Sequence, residues 1–234
     1  MSKLAVLDDL VSRYQQLKYH NNPALKKRLH DVQQWQKHRL CKAHQHFFAQ
    51  KNHELMGHYF VQRLYGGPDF DLIAEQVSRL IQHAHKIERL IPSAAIETGT
   101  HGIELSILAV QLDEKVAEAL LKQYDPNTPL NNAMMQQCYI QVQQEKERLK
   151  QLEMTDKLGC YLDRHLRSFM LQTAFKMGKP LAYKHRFDTL YRFMHEGFVA
   201  LKPLNSAATF VKTFTNKERQ VIEKLHTGHP SPFA

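Results

Sequence analysis

The sequence predicts an all-α, single-domain bundle of about eight to ten helices, and three observations carry the prediction. Apolar residues recur at helical spacing. From Phe70 they fall at Phe70, Ile73, Ala74, Val77, Leu80, Ile81, Ala84, Ile87 and Ile91, one continuous stripe. Turn-forming residues punctuate the chain between such stripes. No stretch alternates β-branched residues in the way a half-buried strand would.

The expected helices run 3–20, 23–50, 52–65, 70–91, 93–111, 113–124, 130–154, 156–177, 180–201 and 205–226, with some neighbouring pairs continuous. Asn22-Pro23 opens the second, Asn as cap and Pro at the first helical position. Its stripe is Leu25, Leu29, Val32, Leu40, Ala43 and Phe47. Tyr65-Gly66-Gly67-Pro68 ends the third and Asp69 can cap the fourth. Ile91-Pro92-Ser93 breaks the chain again, with Ser93 as a cap. Asp125-Pro126-Asn127-Thr128-Pro129 is the strongest loop; it divides two helical halves but is too short for a linker between domains. Gly178-Lys179-Pro180 and Lys202-Pro203 punctuate the last third. Residues 158–177 are apolar on most sides, as expected of a helix central in a bundle. From Tyr183 the stripe Phe187, Leu190, Tyr191, Met194, Phe198 and Leu201 follows. Thr215-x-x-Glu218 is either a capping box or the interior of one terminal helix. The Gln-rich patches, including Gln141-Val142-Gln143-Gln144, read as solvated faces. Phe233, behind two prolines, is expected to dock on the core.

Composition narrows the function classes. Of 234 residues, 43% are hydrophobic and 24% charged, which excludes wholesale disorder. No apolar run reaches the roughly 20 residues a membrane span needs. The first residues do not form a secretory signal. Cys41, Cys138 and Cys160 form no CxxC pair and no zinc spacing, so a reduced, cytoplasmic setting is expected.

Net charge is +9 and unevenly placed: +7 over residues 1–66, −5 over 67–155 and +7 over 156–234. The basic ends either bind a polyanion or are neutralised by the acidic middle in the fold.

Residues 59–70, Tyr-Phe-Val-Gln-Arg-Leu-Tyr-Gly-Gly-Pro-Asp-Phe, together with Leu29–Gln36, Glu196–Leu201 and Leu225–Phe233, carry a resemblance. The chain resembles the bacterial FFLEELY-motif proteins, whose signature is an aromatic pair, an acidic turn, Leu-Tyr-Gly and a following Asp-Phe. Gln62 and Arg63 stand where that motif has two glutamates. The resemblance implies an all-helical protein of a group without an assigned activity, cofactor or catalytic residue. Tyr59, Phe60, Leu64, Tyr65, Gly66, Asp69 and Phe70 then have a structural reading: a packed helix end and its turn.

Three constellations bear on chemistry. His53-Glu54-Leu55-Met56-Gly57-His58 misses the zinc-protease helix, because its histidines are five residues apart and not four. The only Glu-x-x-His, Glu223 with His226, is not a di-iron set. Glu97, His101 and Glu104 share one helical face. They form either a divalent-metal or proton-transfer site, with Gly99 and Gly102 permitting a kink or close helix approach, or a solvated polar face. Walker, GxGxxG and GxSxG signatures are absent. Lys27, Arg28, Arg39 and Lys42 on helix 23–50, and Arg164 and Arg167 further on, form the candidate nucleic-acid or anion faces.

The function expected is that of a helical binding or interaction protein, with a protein partner or self-association in view. No cofactor is expected, although a divalent metal is possible. The rivals are a metal-binding or enzymatic bundle using Glu97, His101 and Glu104, and nucleic-acid binding through the basic faces. A further reading is an apolar ligand held between helices 156–177 and 180–201.

Overall fold

A computed structural model describes residues 5–66, 69–84, 93–166 and 168–233. Twelve α-helices and no strand occur among the described residues. They are α1 (Ala5–Gln15), α2 (Pro23–Ala43), α3 (Gln45–Phe48), α4 (Glu54–Tyr59), α5 (Phe70–Ala84), α6 (Ser93–Gln123), α7 (Asn132–Gln141), α8 (Glu145–Tyr161), α9 (Phe169–Met177), α10 (Lys179–Lys184), α11 (Asp188–Leu201) and α12 (Ala207–His226). A short 3-10 segment, Lys18–Asn21, precedes α2, and π turns extend α4 (Phe60–Leu64) and α8 (Leu162–Leu166). The all-α fold is as the periodicity predicts.

The helix α6 is the axis of the bundle and packs against α1, α2, α7 and α8. The expected break near residue 112 does not exist. Leu112, Asp113, Val116, Ala117 and Leu120 are all buried, so this half of α6 is covered on nearly every side. No Pro or Gly interrupts it between Ile103 and Gln123. Leu25, Leu29 and Val32 of α2 meet Val116, Leu120, Met135 and Cys138 in the largest apolar cluster. A second cluster joins Met56 and Tyr59 to Leu201, Leu204, Phe210 and Val211. A third joins Leu7 and Leu10 of α1 to Ile81 and Ile107.

Caps behave as local chemistry requires. Asn22 Oδ1 accepts from the amide of Leu25 at 3.0 Å, and α2 begins there. The Ser93 cap lies outside the residues whose side chains are described. Asp69 does not hold its side chain over α5; its carboxylate instead accepts from Arg63 at 3.0 Å. Thr215 and Glu218 lie inside the continuous α12, the second of the two sequence readings.

The N-terminus of α12 carries a stronger device. Asp163, from the π turn after α8, accepts from Ser206 Oγ (2.6 Å) and from the amides of Ala207 (2.8 Å) and Ala208 (2.9 Å). A carboxylate there meets both the orphan amides and the positive end of the helix. Asp163→Ala is expected to lower stability by about 1–2 kcal/mol, seen as a lower denaturant midpoint with an unchanged slope. The same two helices approach closely at Gly159, where a Cβ would stand 3.0 Å from Val211 Cβ and 3.1 Å from Ala208 Cα.

Residues 158–177 are not one central helix. The chain leaves α8 through a π turn and re-enters as α9, which lies outside: Phe169 is 84% exposed and Met177 77%. Helix 130–154 is broken at 142–144, where Gln143 takes φ +50°, and 180–201 is broken at 185–187, where Arg186 takes φ +58°. Neither break carries a Gly or Pro. Phe233 docks as expected, edge-on to Trp35 at 4.9 Å between ring centres.

Candidate functional site: a cavity in the helical core

Helices α2, α6, α8 and α12 line a partly open cavity of about 150 Å³. From α6 it is lined by Gly102, Leu105, Ser106 and Ala109, from α8 by Arg148, Gln151, Leu152, Thr155 and Leu158, and from α12 by Phe214, Glu218, Val221, Ile222 and Leu225. Gln36, Arg39 and Leu40 of α2, Tyr139 of α7, Phe60, Leu64 and Tyr65 of the family-like motif, and Phe233 complete the wall. His226, exposed, lies at the rim. The spacing on α6 is i, i+3, i+4, i+7, one face of the helix. Three of its four residues are Gly, Ser or Ala, which leaves the space open. A Cβ built on Gly102 meets nothing within 4 Å. The expected role of Gly102 in a kink or close helix crossing is therefore replaced: α6 is unbroken there and the missing side chain borders the cavity.

Two buried charge pairs hold the polar wall. Arg39 grips Glu218 with both terminal nitrogens, at 2.5 and 3.2 Å, while its Nε donates to Gln36 Oε1 at 2.8 Å. Gln36 in turn donates to the Tyr139 hydroxyl. His44 Nε2 lies 2.8 Å from the other side of Glu218. Burial would push the Glu218 carboxyl up, but the Arg39 charge and the hydrogen bonds from His44 and Arg39 draw it down to about 2. The second pair joins Arg148 to Asp113 at 3.0 Å, and Tyr65 donates its hydroxyl to the same carboxylate. Burial and the facing Asp113 hold the Tyr65 hydroxyl well above its ordinary value, so it stays a donor. Burial pushes Tyr139 up to about 12, although the Arg148 guanidinium, 5.0 Å over its ring, opposes this. The formal charges of these two arginines and two carboxylates cancel.

One corner is not satisfied. Gln144, only 3% exposed, has neither its amide nitrogen nor its carbonyl oxygen hydrogen-bonded, and Arg148 Nε lacks a partner as well. Both residues line the cavity. Leaving such a group unpaired costs about 1–3 kcal/mol. Gln144 is no solvated face, as the Gln-rich pattern suggested. The left-handed turn at Gln143 directs the chain so that Gln144 sits inside at the head of α8.

The motif residues supply one wall. Tyr59 donates to the carbonyl of Phe193 at 3.1 Å, and the Phe60 ring lies 4.7 Å from that of Phe214. The wide π turn at Phe60–Leu64 delivers Tyr65 to Asp113. Gly66 takes φ +53°, and a Cβ there would stand 2.9 Å from Gln33 Cδ. Its carbonyl accepts from Lys37 at 2.8 Å. Arg63 bridges Asp69 and Glu196, at 3.0 and 2.6 Å. Phe70 packs edge-on against Tyr14 at 5.9 Å.

The other predicted residues disperse. Glu97 faces His165 at 3.9 Å, His101 Nε2 donates to the carbonyl of Met154 at 2.7 Å, and Glu104 faces Arg13 at 3.9 Å. Glu97 and His101 both lie beside Tyr161, whose ring His101 meets edge-on at 5.3 Å, whereas Glu104 turns to Arg13 and does not complete a ligand set with them. Among the described residues no group of three or more His, Cys, Asp or Glu is placed to hold a metal. Of the basic candidates, Arg28 is buried and Arg39 is turned inward with its side chain 9% exposed, so both leave the proposed polyanion face. Arg28 clamps the 125–129 loop, donating to the carbonyls of Thr128 (3.0 Å) and Asp125 (2.7 Å). Lys27 reaches Asn127 at 2.7 Å, while Lys42 and Arg164 are exposed. Arg167 lies outside the described residues.

Fold and site together define an all-helical protein with a small, polar-cornered cavity in its core. The chain belongs to the family described as a domain of unknown function, DUF8198, whose model matches residues 16–232. No curated protein and no solved structure matches it. Among the described residues, no helix is long and apolar enough to cross a membrane.

Proposed function

We propose that this protein binds a small organic molecule in the cavity: a body of about one ring, ending in an amide-like or carboxylic-acid group. The observation that carries this is the Gln144 corner, where a buried amide and Arg148 Nε stand unpartnered on two residues that line the cavity. An occupant must offer Gln144 one acceptor and one donor, and Arg148 a further acceptor. The remaining walls are largely apolar and favour a hydrocarbon body. A cavity of about 150 Å³ accommodates a molecule the size of benzene. The cancelling charges favour a neutral occupant. This gives the expected binding protein a concrete site, between α2, α6, α8 and α12 and away from the aromatic helices of the last third. All three cysteines are free thiols, which supports a reducing, cytoplasmic setting. The motif resemblance supports kinship with the FFLEELY group.

Benzamide, with a ring and an adjacent donor and acceptor, is the probe. It is expected to raise the melting temperature in a concentration-dependent way, as a ligand bound only by the folded state must. Toluene, lacking the polar end, should act more weakly. Gly102→Leu should fold, since nothing stands within 4 Å of the added Cβ, and should abolish the shift by occupying the opening. An equal shift in Gly102→Leu, or none in the parent protein with native mass spectrometry showing no retained small molecule, overturns the proposal.

A further inference from the structure

The cavity leaves one large feature of the surface unused. Between Asp163 and Asp188 the chain has no acidic residue, and it carries Arg164, Arg167, Lys176, Lys179, Lys184 and Arg186. The same stretch holds the three most exposed large apolar side chains among the described residues, Phe169, Met177 and Leu181 (59%), together with the exposed Tyr183 (46%). The two features interleave residue by residue, Lys176-Met177, Lys179-Pro180-Leu181 and Tyr183-Lys184. Helices α9 and α10 follow one another through Gly178, which keeps a right-handed helical conformation, and the amide of Ala182 donates to the Gly178 carbonyl at 2.9 Å. Phe169, Met177 and Leu181 are therefore spaced in multiples of four along a nearly continuous helical path and share a side. The opposite side is anchored: the Phe175 ring stacks on Tyr191 of α11 at 4.3 Å and nearly parallel. The outward apolar side is thus a fixed feature and not a loosely held segment.

We propose that the α9–α10 face docks on an anionic lipid surface, Phe169, Met177 and Leu181 entering the headgroup boundary while Lys176, Lys179 and Lys184 meet the acidic headgroups. Charge complementarity selects this occupant. A protein partner is disfavoured because lysine is depleted from the cores of protein interfaces, whereas here lysines separate the apolar side chains one by one. A fluid surface needs no matching shape and accepts apolar projections flanked by cations. Docking of this kind lays a helix on a membrane without spanning it.

Co-sedimentation with vesicles tests it, using phosphatidylcholine alone and phosphatidylcholine mixed with phosphatidylserine, at low and high salt. Binding is expected to the mixed vesicles, to fall at least about tenfold at high salt, and to be negligible on phosphatidylcholine alone. Lys176→Gln/Lys179→Gln/Lys184→Gln and, separately, Met177→Ser/Leu181→Ser should each reduce it about tenfold or more, with melting temperatures kept close to the parent's because these side chains are exposed. No binding to mixed vesicles at low salt overturns the proposal, as does undiminished binding by both variants. A dimer in sedimentation analysis that Met177→Ser/Leu181→Ser dissociates also overturns it and assigns the face to a second copy. The cavity reading is independent, since Gly102→Leu leaves this face intact.

Discussion

Arg39→Met is expected to lower the free energy of unfolding by about 3–5 kcal/mol, because it leaves the Glu218 carboxylate buried without its counter-charge. Two N–H groups of Arg39 satisfy both carboxylate oxygens, and His44 is the other partner within reach. The same pair gives the protein an acid limb with a defined sign. The free carboxyl titrates near 4.5 and the folded one near 2. Between those values the unfolded chain binds more protons, so unfolding becomes easier as pH falls. The contribution is fully present above about 4.5 and is lost as pH drops towards 2. The difference corresponds to about 3 kcal/mol. Urea titrations across that window should show the limb in the parent and a flatter one in Glu218→Gln. An Arg39→Met variant as stable as the parent would show the carboxylate to be solvated in the folded protein, and the buried geometry would be wrong.

Asp113→Leu should be similarly costly, about 3–5 kcal/mol, by stranding the Arg148 guanidinium and removing the acceptor of the Tyr65 hydroxyl. The paired variant distinguishes the cause. Asp113→Leu/Arg148→Met removes both charges and fills the space with apolar atoms, so most of the loss should be recovered. Denaturant midpoints of the two single variants and the double variant form the cycle. If the double variant lost the sum of the two singles, the residues would not be acting as a pair and the polar wall would be held some other way.

Both networks draw on residues the sequence presents as unrelated. Arg39 and Glu218 are 179 positions apart. The spacing rules that place Glu97, His101 and Glu104 on one face of a helix are correct about rotation but silent about what that face meets. It meets Arg13 at Glu104, and Tyr161, His165 and the Met154 carbonyl around Glu97 and His101. The neighbouring face of α6, Gly102, Ser106 and Ala109, borders the cavity. Its signal was legible as small residues at i, i+4 and i+7. Gln144 had no local signal, because the turn that buries it depends on a left-handed glutamine and not on a glycine. Arg28 and Arg39 read as basic surface because charge is the default property of an arginine. Their burial rests on carbonyls and a carboxylate that arrive from distant helices.

Periodic apolar stripes, caps such as Asn22, and a glycine at the Gly66 turn are local properties, and the sequence by itself determined them: an all-α chain, with most of its helices in the right places. Which helices merge, where α7 parts from α8, and which polar side chains turn inward are decided by packing. A residue's environment there is the sum of contacts from chain segments that one-dimensional spacing cannot bring together. The cavity, its two charge pairs and its unpartnered corner exist only in that sum.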